Sequence, residues 1–176
     1  MKQTSLIVLI ILTLTSFDDR EKVIDETGFD NIRVGKTTLS EIKRKHMFSK
    51  RSKTWRHALY HTEEGRVGVM YDYEQIHTRE GITYFFNYKR GTKDPITLDG
   101  ILFVNPANVR TNKGIELGPS TFKQVADIYG PEPTLLNHGK LIKAYDAIEF
   151  YSERLIGLDS VDSGYIVTGI RIKREP

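Results

Sequence analysis

No cysteine occurs among the 176 residues. Disulfides, cysteine-type zinc sites, thiol catalysis and acylation of an N-terminal cysteine are therefore excluded. Charge of one sign is not in marked excess: 26 basic and 23 acidic residues leave a net charge of +3. That balance is too even to call for a nucleic-acid partner. The motifs Gly-x-Ser-x-Gly, His-Glu-x-x-His and Gly-x-Gly-x-x-Gly are all missing, so the common routes to a hydrolase, a zinc protease or a dinucleotide enzyme fail. What remains is a globular composition, 39% hydrophobic with nine Tyr and eight Phe. The length suits one ordinary domain or two small ones.

The chain begins as an address. Lys2 supplies a positive charge, and Leu6 to Leu14 is apolar apart from Thr13. Small residues Thr15 and Ser16 follow, then the charged run Asp18 to Lys22. This order matches a secretory signal peptide. The apolar run is about half the ~20 residues that a membrane-spanning helix needs. Residues 1–17 are accordingly expected to be a signal peptide, and the mature protein periplasmic or extracellular.

Two segments resemble one another at an offset of 83 residues. One runs from Ile32 to Ile42 and the other from Ile115 to Val125. Each has a glycine (Gly35, Gly118), then a hydroxyl residue placed three before Glu or Gln: Thr38 with Glu41, and Thr121 with Gln124. That spacing is a capping box. Apolar residues Leu39 and Ile42, and Phe122, Val125, Ala126 and Tyr129, follow helical spacing. Gly130-Pro131 stops the second helix. Strand patterns repeat as well: Gly81 to Phe85 resembles Ala147 to Tyr151, and Leu98 to Phe103 resembles Val167 to Ile172.

Further strands are expected at Trp55 to His61 and Arg66 to Tyr73, joined at Glu63-Glu64-Gly65 as a hairpin, and at Lys140 to Tyr145. The boundary between halves falls at Asn105 to Gly114. The expected fold class is α+β, with two duplicated units of a capped helix and about four antiparallel strands. They cover residues 30–105 and 114–176.

The glycine, the capped helix, Tyr129-Gly130-Pro131 and the paired strands together resemble the tandem beta-lactamase inhibitor protein-like fold. They are also similar to the small outer-membrane-assembly lipoproteins, which have one such unit. Gly35, Thr38, Glu41, Gly118, Thr121, Gln124, Gly169, Ile170 and Ile172 carry the resemblance. It implies an exported, non-enzymatic protein that binds other proteins. The acylated cysteine of the lipoproteins and the disulfides of the inhibitors have no counterpart here.

Several residues invite chemistry. Val34-Gly35-Lys36-Thr37 suggests a phosphate loop, but the required earlier glycine would be at position 30, which is Asp30. A glycine turn into a capped helix explains both copies. His57 and His61 are four apart, which on a strand places them ~13 Å apart, too far for one metal; His46 and His77 complete no ligand pattern. Asp72 with Glu74, and Asp146 with Glu149, lack an oriented histidine or nucleophile for acid–base work. No catalytic residue, cofactor or metal site is expected.

The two sheets contrast. In the second half Ile148, Phe150, Ile170 and Ile172 take the core face, and Glu149, Tyr151, Arg171 and Lys173 suit water. In the first half the core face takes Ile82, Tyr84, Ile101 and Phe103. Its opposite face takes Thr83, Phe85, Leu102 and Val104, which is unusually apolar for a solvated sheet. Either the second half covers it or a protein partner does. In the second case Tyr73, Phe85, Leu102 and Val104 form the contact, with the aromatics as anchors. The alternative is an envelope protein whose basic run, including Lys50, Arg51, Lys53 and Arg56 beside Trp55, binds anionic lipid or polysaccharide.

Overall fold

The computed structural model describes residues 20–62, 65–137, 140–153 and 165–174, with backbone alone at 57–62 and 65–67. The expected signal peptide and the Glu63-Glu64 part of the hairpin turn lie outside the described residues.

Strands dominate. The larger sheet has eight: β4 (Lys50–Thr62), β5 (Gly65–His77), β6 (Ile82–Lys89), β7 (Gly100–Val104), β9 (Thr134–Asn137), β10 (Lys140–Ala144), β11 (Ile148–Glu153) and β12 (Gly169–Lys173). Their spatial order is β4-β5-β6-β7-β12-β11-β10-β9, antiparallel throughout. The smaller sheet takes β1 (Lys22–Asp25), β2 (Gly28–Phe29), β3 (Ile32–Arg33) and β8 (Val109–Thr111). Its order is β3-β2-β1-β8, with β1 parallel to β8.

The expected α+β class of two duplicated helix-plus-sheet units is corrected by this arrangement. Among the described residues strands make up 50% and helical residues 11%, in two sheets with two short helices. The physical reason lies in one pairing. β7 bonds antiparallel to β12, with Leu102 opposite Arg171 and Phe103 opposite Ile170. Ladder hydrogen bonds that would end at two sheet edges are satisfied against each other. The strands expected in separate units therefore merge into one sheet. The stretch Asn105 to Gly114 carries β8, which ties it to the N-terminal segment.

The helices are local products of their sequence. Thr38 accepts from the Glu41 amide at 3.3 Å, and the Glu41 carboxylate accepts from the Thr38 amide at 2.7 Å. Thr121 and Gln124 repeat this at 3.3 and 2.8 Å. The helices Leu39–Lys45 and Phe122–Tyr129 have seven and eight residues, too few to persist alone in water. Burial holds them: Leu39 and Ile42 from the first and Phe122 and Val125 from the second enter the core. Each such side chain contributes about 1.5–3 kcal/mol. Lys43, Arg44 and Lys45 lie in the last turn of the first helix, where cations complement the helix dipole.

Gly35 and Gly118 adopt φ of +76° and +96°, a region that favours glycine. Their amides donate to the Leu98 and Val167 carbonyls at 2.7 and 2.8 Å. Val34-Gly35-Lys36-Thr37 is thus a turn pinned to the strand region before β7.

One face of the large sheet meets the helices and the small sheet. Ile76, Ile82, Tyr84, Ile101, Phe103, Ile148, Phe150, Ile170 and Ile172 come from the large sheet, and Ile24, Phe29, Ile32 and Val109 from the small one. Phe29 meets Phe103 edge-on, with ring centroids 5.4 Å apart. The core thus lies between the large sheet and a mixed second layer.

Candidate functional site: the open face of the large sheet

In a pleated strand, alternate side chains take opposite faces. The residues between the core positions therefore share the other face. Tyr71, Tyr73, Gln75 and His77 do so on β5, Thr83 and Phe85 on β6, Leu102 and Val104 on β7. Arg171 and Lys173 follow on β12, Glu149 and Tyr151 on β11, and Ile142 and Ala144 on β10. All are part-exposed, and none belongs to the core.

Register sets these side chains in rows. Leu135, Ile142, Tyr151, Gly169 and Val104 lie opposite one another in succession across five strands. The next row runs Ala144, Glu149, Arg171, Leu102, Thr83 and His77. A third reads Lys173, Gly100, Phe85 and Gln75. The second half therefore extends the apolar face of the first edge to edge. Among the described residues, none of the second half lies over it.

The four expected contact residues are near neighbours on this face. Phe85 and Leu102 stand in adjacent rows, and Val104 follows two residues along β7. Tyr73 stands one row to the other side of Phe85, opposite Asn87, and lines the same cavity as Phe85, with Arg56 5.4 Å from its ring centroid. Arg171 sits 5.2 Å from the Phe85 ring centroid.

Ion pairs hold the polar part of the face. Lys173 Nζ reaches Glu149 at 3.0 Å, Arg171 Nη1 lies 3.7 Å from it, and the Tyr151 hydroxyl donates to the same carboxylate. Burial pushes the Glu149 carboxyl up, but the hydrogen bonds from Tyr151 and Lys173 outweigh it and leave it below its usual value. Burial, aided by that carboxylate, pushes the Tyr151 phenol up to about 12. At the margin, Asp99 accepts from the Asn87 amide and lies 3.7 Å from Arg174. Burial raises its carboxyl.

The basic run is divided. Lys50 and Arg56 are on the open-face side of β4, opposite His77 and Tyr71. Arg51 and Lys53 are on the other side, opposite Ile76 and Glu74. Lys53 is bound at 3.1 Å to buried Asp72, which Arg90 holds at 2.8 Å. The Arg90 hydrogen bond, followed by that of Lys53, keeps the Asp72 carboxyl low despite desolvation. Lys43 pairs with buried Glu74 at 2.7 Å. Asp72 and Glu74 are thus saturated by cations and stand on the core side. Asp146 is exposed in the turn before β11.

The histidines form no site among the described residues. His77 places Nε2 3.3 Å from Ser52 Oγ and Nδ1 3.1 Å from Thr83 Oγ1. His46 Nε2 lies 3.2 Å from the Tyr84 hydroxyl, and burial lowers its pKa. The side chains of His57 and His61 lie outside the described residues. No cluster of three metal-ligating side chains occurs among the described residues.

Sequence reasoning passed over the exposed Leu135 and Leu136 of β9, and the exposed Phe48 before β4. The signal that finds them is a pair of adjacent apolar residues outside any helical or alternating pattern. The chain matches no protein-family model, and no curated protein or solved structure matches it.

Proposed function

We propose that this is an exported, non-enzymatic protein-binding module that captures a protein partner on the open face of the large sheet. The role is that of an inhibitor, immunity or envelope-assembly factor. One observation carries the proposal. The apolar row from Leu135 to Val104, with Leu102 and Phe85 beside it, stays outside the core although it spans both halves of the sheet. A contiguous apolar surface rimmed by charge is the usual form of a protein interface. Phe85 and Tyr151 supply aromatic anchors on a continuous antiparallel sheet. What the resemblance to the inhibitor proteins implies agrees with such a surface. Location outside the cytoplasm follows from the signal-like segment at residues 1–17.

The experiment is capture from the native envelope fraction by wild type, Phe85→Ala and Leu102→Asp, with far-ultraviolet dichroism on each. One dominant protein held by wild type and lost by both variants, with native dichroism, supports the proposal. Loss of fold in both variants assigns the residues to intramolecular packing and removes the proposal's basis.

The anionic-lipid or polysaccharide alternative is weaker, because Lys53 is engaged by Asp72 and β4 splits its cations between two faces. Charge reversal at Lys50, Arg51 and Lys53 separates the two readings. Salt-sensitive loss of vesicle binding would favour the alternative.

A further inference from the structure

The third row of the open face has a gap. Between Lys173 and Phe85 stands Gly100, and a Cβ there would lie 2.9 Å from the Ile172 carbonyl oxygen and 3.8 Å from Arg171 Nε. Beside this gap lies an open cavity of about 330 Å³, lined by Phe85, Gln75, Arg171, Lys173, Arg174 and Asp99 among others. Its size is at the small end for ligand sites. It suits one inserted side chain.

The charges of the rim are unequal. Arg171, Lys173 and Arg174 line the cavity with Asp99 and Glu74. Glu74 is neutralised from the core side by Lys43 at 2.7 Å, and Lys173 is bound to Glu149 at 3.0 Å. Arg171 and Arg174 therefore face Asp99 with an excess of one positive charge. Neither arginine makes a close ion pair: Arg171 lies 3.7 Å from Glu149 and Arg174 lies 3.7 Å from Asp99, and Arg171 otherwise touches the Tyr151 hydroxyl and the Phe85 ring. Both distances exceed a hydrogen bond. Arg171 Nε is buried and has no acceptor among the described residues. Arg174 spends one donor on Thr97 at 2.6 Å and remains half exposed. Guanidinium donors left in this state match a carboxylate. A phosphate dianion would overfill the single excess charge and meet Asp99 and Glu149.

The wider face has the same sign. Among the described side chains it presents by register Lys50, Arg56, Lys89, Lys140, Arg171 and Lys173 against Glu149 and Glu153, and Arg174 and Asp99 at the margin bring this to seven cations against three acids. Such a field draws an acidic protein surface and speeds its encounter.

We propose that the cavity beside Phe85 receives an aspartate or glutamate side chain of an acidic protein partner, gripped by Arg171 and Arg174, while an adjoining apolar side chain of the partner lies on Phe85. This rests on the protein-binding reading above and names the chemistry of its partner. Lys173 keeps Glu149 paired, so Arg171 can turn from Tyr151 toward the ligand without leaving that carboxylate uncompensated.

The test uses two peptides on the full chain, acetyl-Phe-Glu-Phe-amide and acetyl-Phe-Gln-Phe-amide, followed by nuclear magnetic resonance of backbone amides and arginine Nε–Hε groups. The expected result is that the glutamate peptide shifts Phe85, Gly100 and the Arg171 Nε–Hε signal. It binds at least about tenfold more tightly than the glutamine peptide, as a charge-assisted pair requires. Arg174→Gln, at an exposed position, removes most of that difference and keeps native dichroism; Arg171→Gln does the same. Equal binding of the two peptides, or binding of neither, overturns the carboxylate proposal. The protein-binding reading then still stands if Phe85→Ala loses the captured partner. Binding of phosphatidylglycerol vesicles with neither peptide bound, and no captured protein, overturns both.

Discussion

Arg171 on β12 lies over the ring of Phe85 on β6, 5.2 Å from its centroid, although β7 runs between their two strands. The contact is possible because Gly100, opposite both Phe85 and Lys173, leaves the intervening position without a side chain. A residue of the second half thus rests on an aromatic of the first, on the face turned away from the core. This is the place where the polar and apolar parts of the open face meet.

Phe85 is half-buried, so its truncation costs the fold little. The expected change for Phe85→Ala is about 1 kcal/mol of stability, the sum of a partial burial and an exposed cation–π contact. Urea unfolding measures it. A loss as large as a core phenylalanine gives would place Phe85 in the packing of the protein instead of on its surface.

Phe103 serves as the contrast. It is fully buried, meets Phe29 edge-on and sits opposite Ile170 across the β7–β12 seam. Phe103→Ala is expected to cost about 3–5 kcal/mol. Because the seam joins the two halves of the sheet, one cooperative unfolding transition is expected in both wild type and variant. Two separate transitions in calorimetry would show that the halves fold independently.

The capping boxes give a smaller effect. Thr38→Ala and Thr121→Ala each remove an acceptor for an early helix amide and are expected to cost about 0.5–2 kcal/mol. The sites share no partner, so the double variant should lose about the sum of the two. Thermal unfolding of the four proteins checks this.

Acid acts on the open face through Glu149. Its carboxyl is held below its usual value in the fold, so it contributes stability above the unfolded value near 4.5. That contribution is lost as pH falls through the folded value. Asp99 has the opposite sign: burial raises its carboxyl, and protonation in the acid range favours the fold. Glu149→Gln is therefore expected to flatten the fall of stability between about pH 5 and pH 3, read from urea midpoints. An unchanged slope would contradict the role given to the Lys173–Glu149 pair.

The features legible in the sequence were the local ones. Thr38 with Glu41 and Thr121 with Gln124 signal their helices within four residues, and Gly130 caps the second. Alternation placed Ile82, Tyr84, Ile148 and Phe150 on one face correctly. The fold class was misread because two well-marked helices drew weight from the strands around them. Pairing between β7 and β12 joins segments far apart in the chain and leaves no local mark. β8 was read as a boundary because Pro106, Asn108 and Asn112 surround it, yet Val109 and Thr111 are buried against β1. For the site, strand alternation placed Phe85, Leu102 and Val104 together on the face away from the core. Its continuation through Tyr151 and Ile142 to Leu135, and the cavity over Gly100, depend on register, which the sequence alone does not supply.

The most direct test of the open face as a binding surface is hydrogen–deuterium exchange on the chain with and without its captured partner. Protection gained in β6, β7 and β12, around Phe85, Leu102 and Arg171, is the predicted result. Protection confined to the first helix and the outer side of β4, with those three strands unchanged, would contradict it.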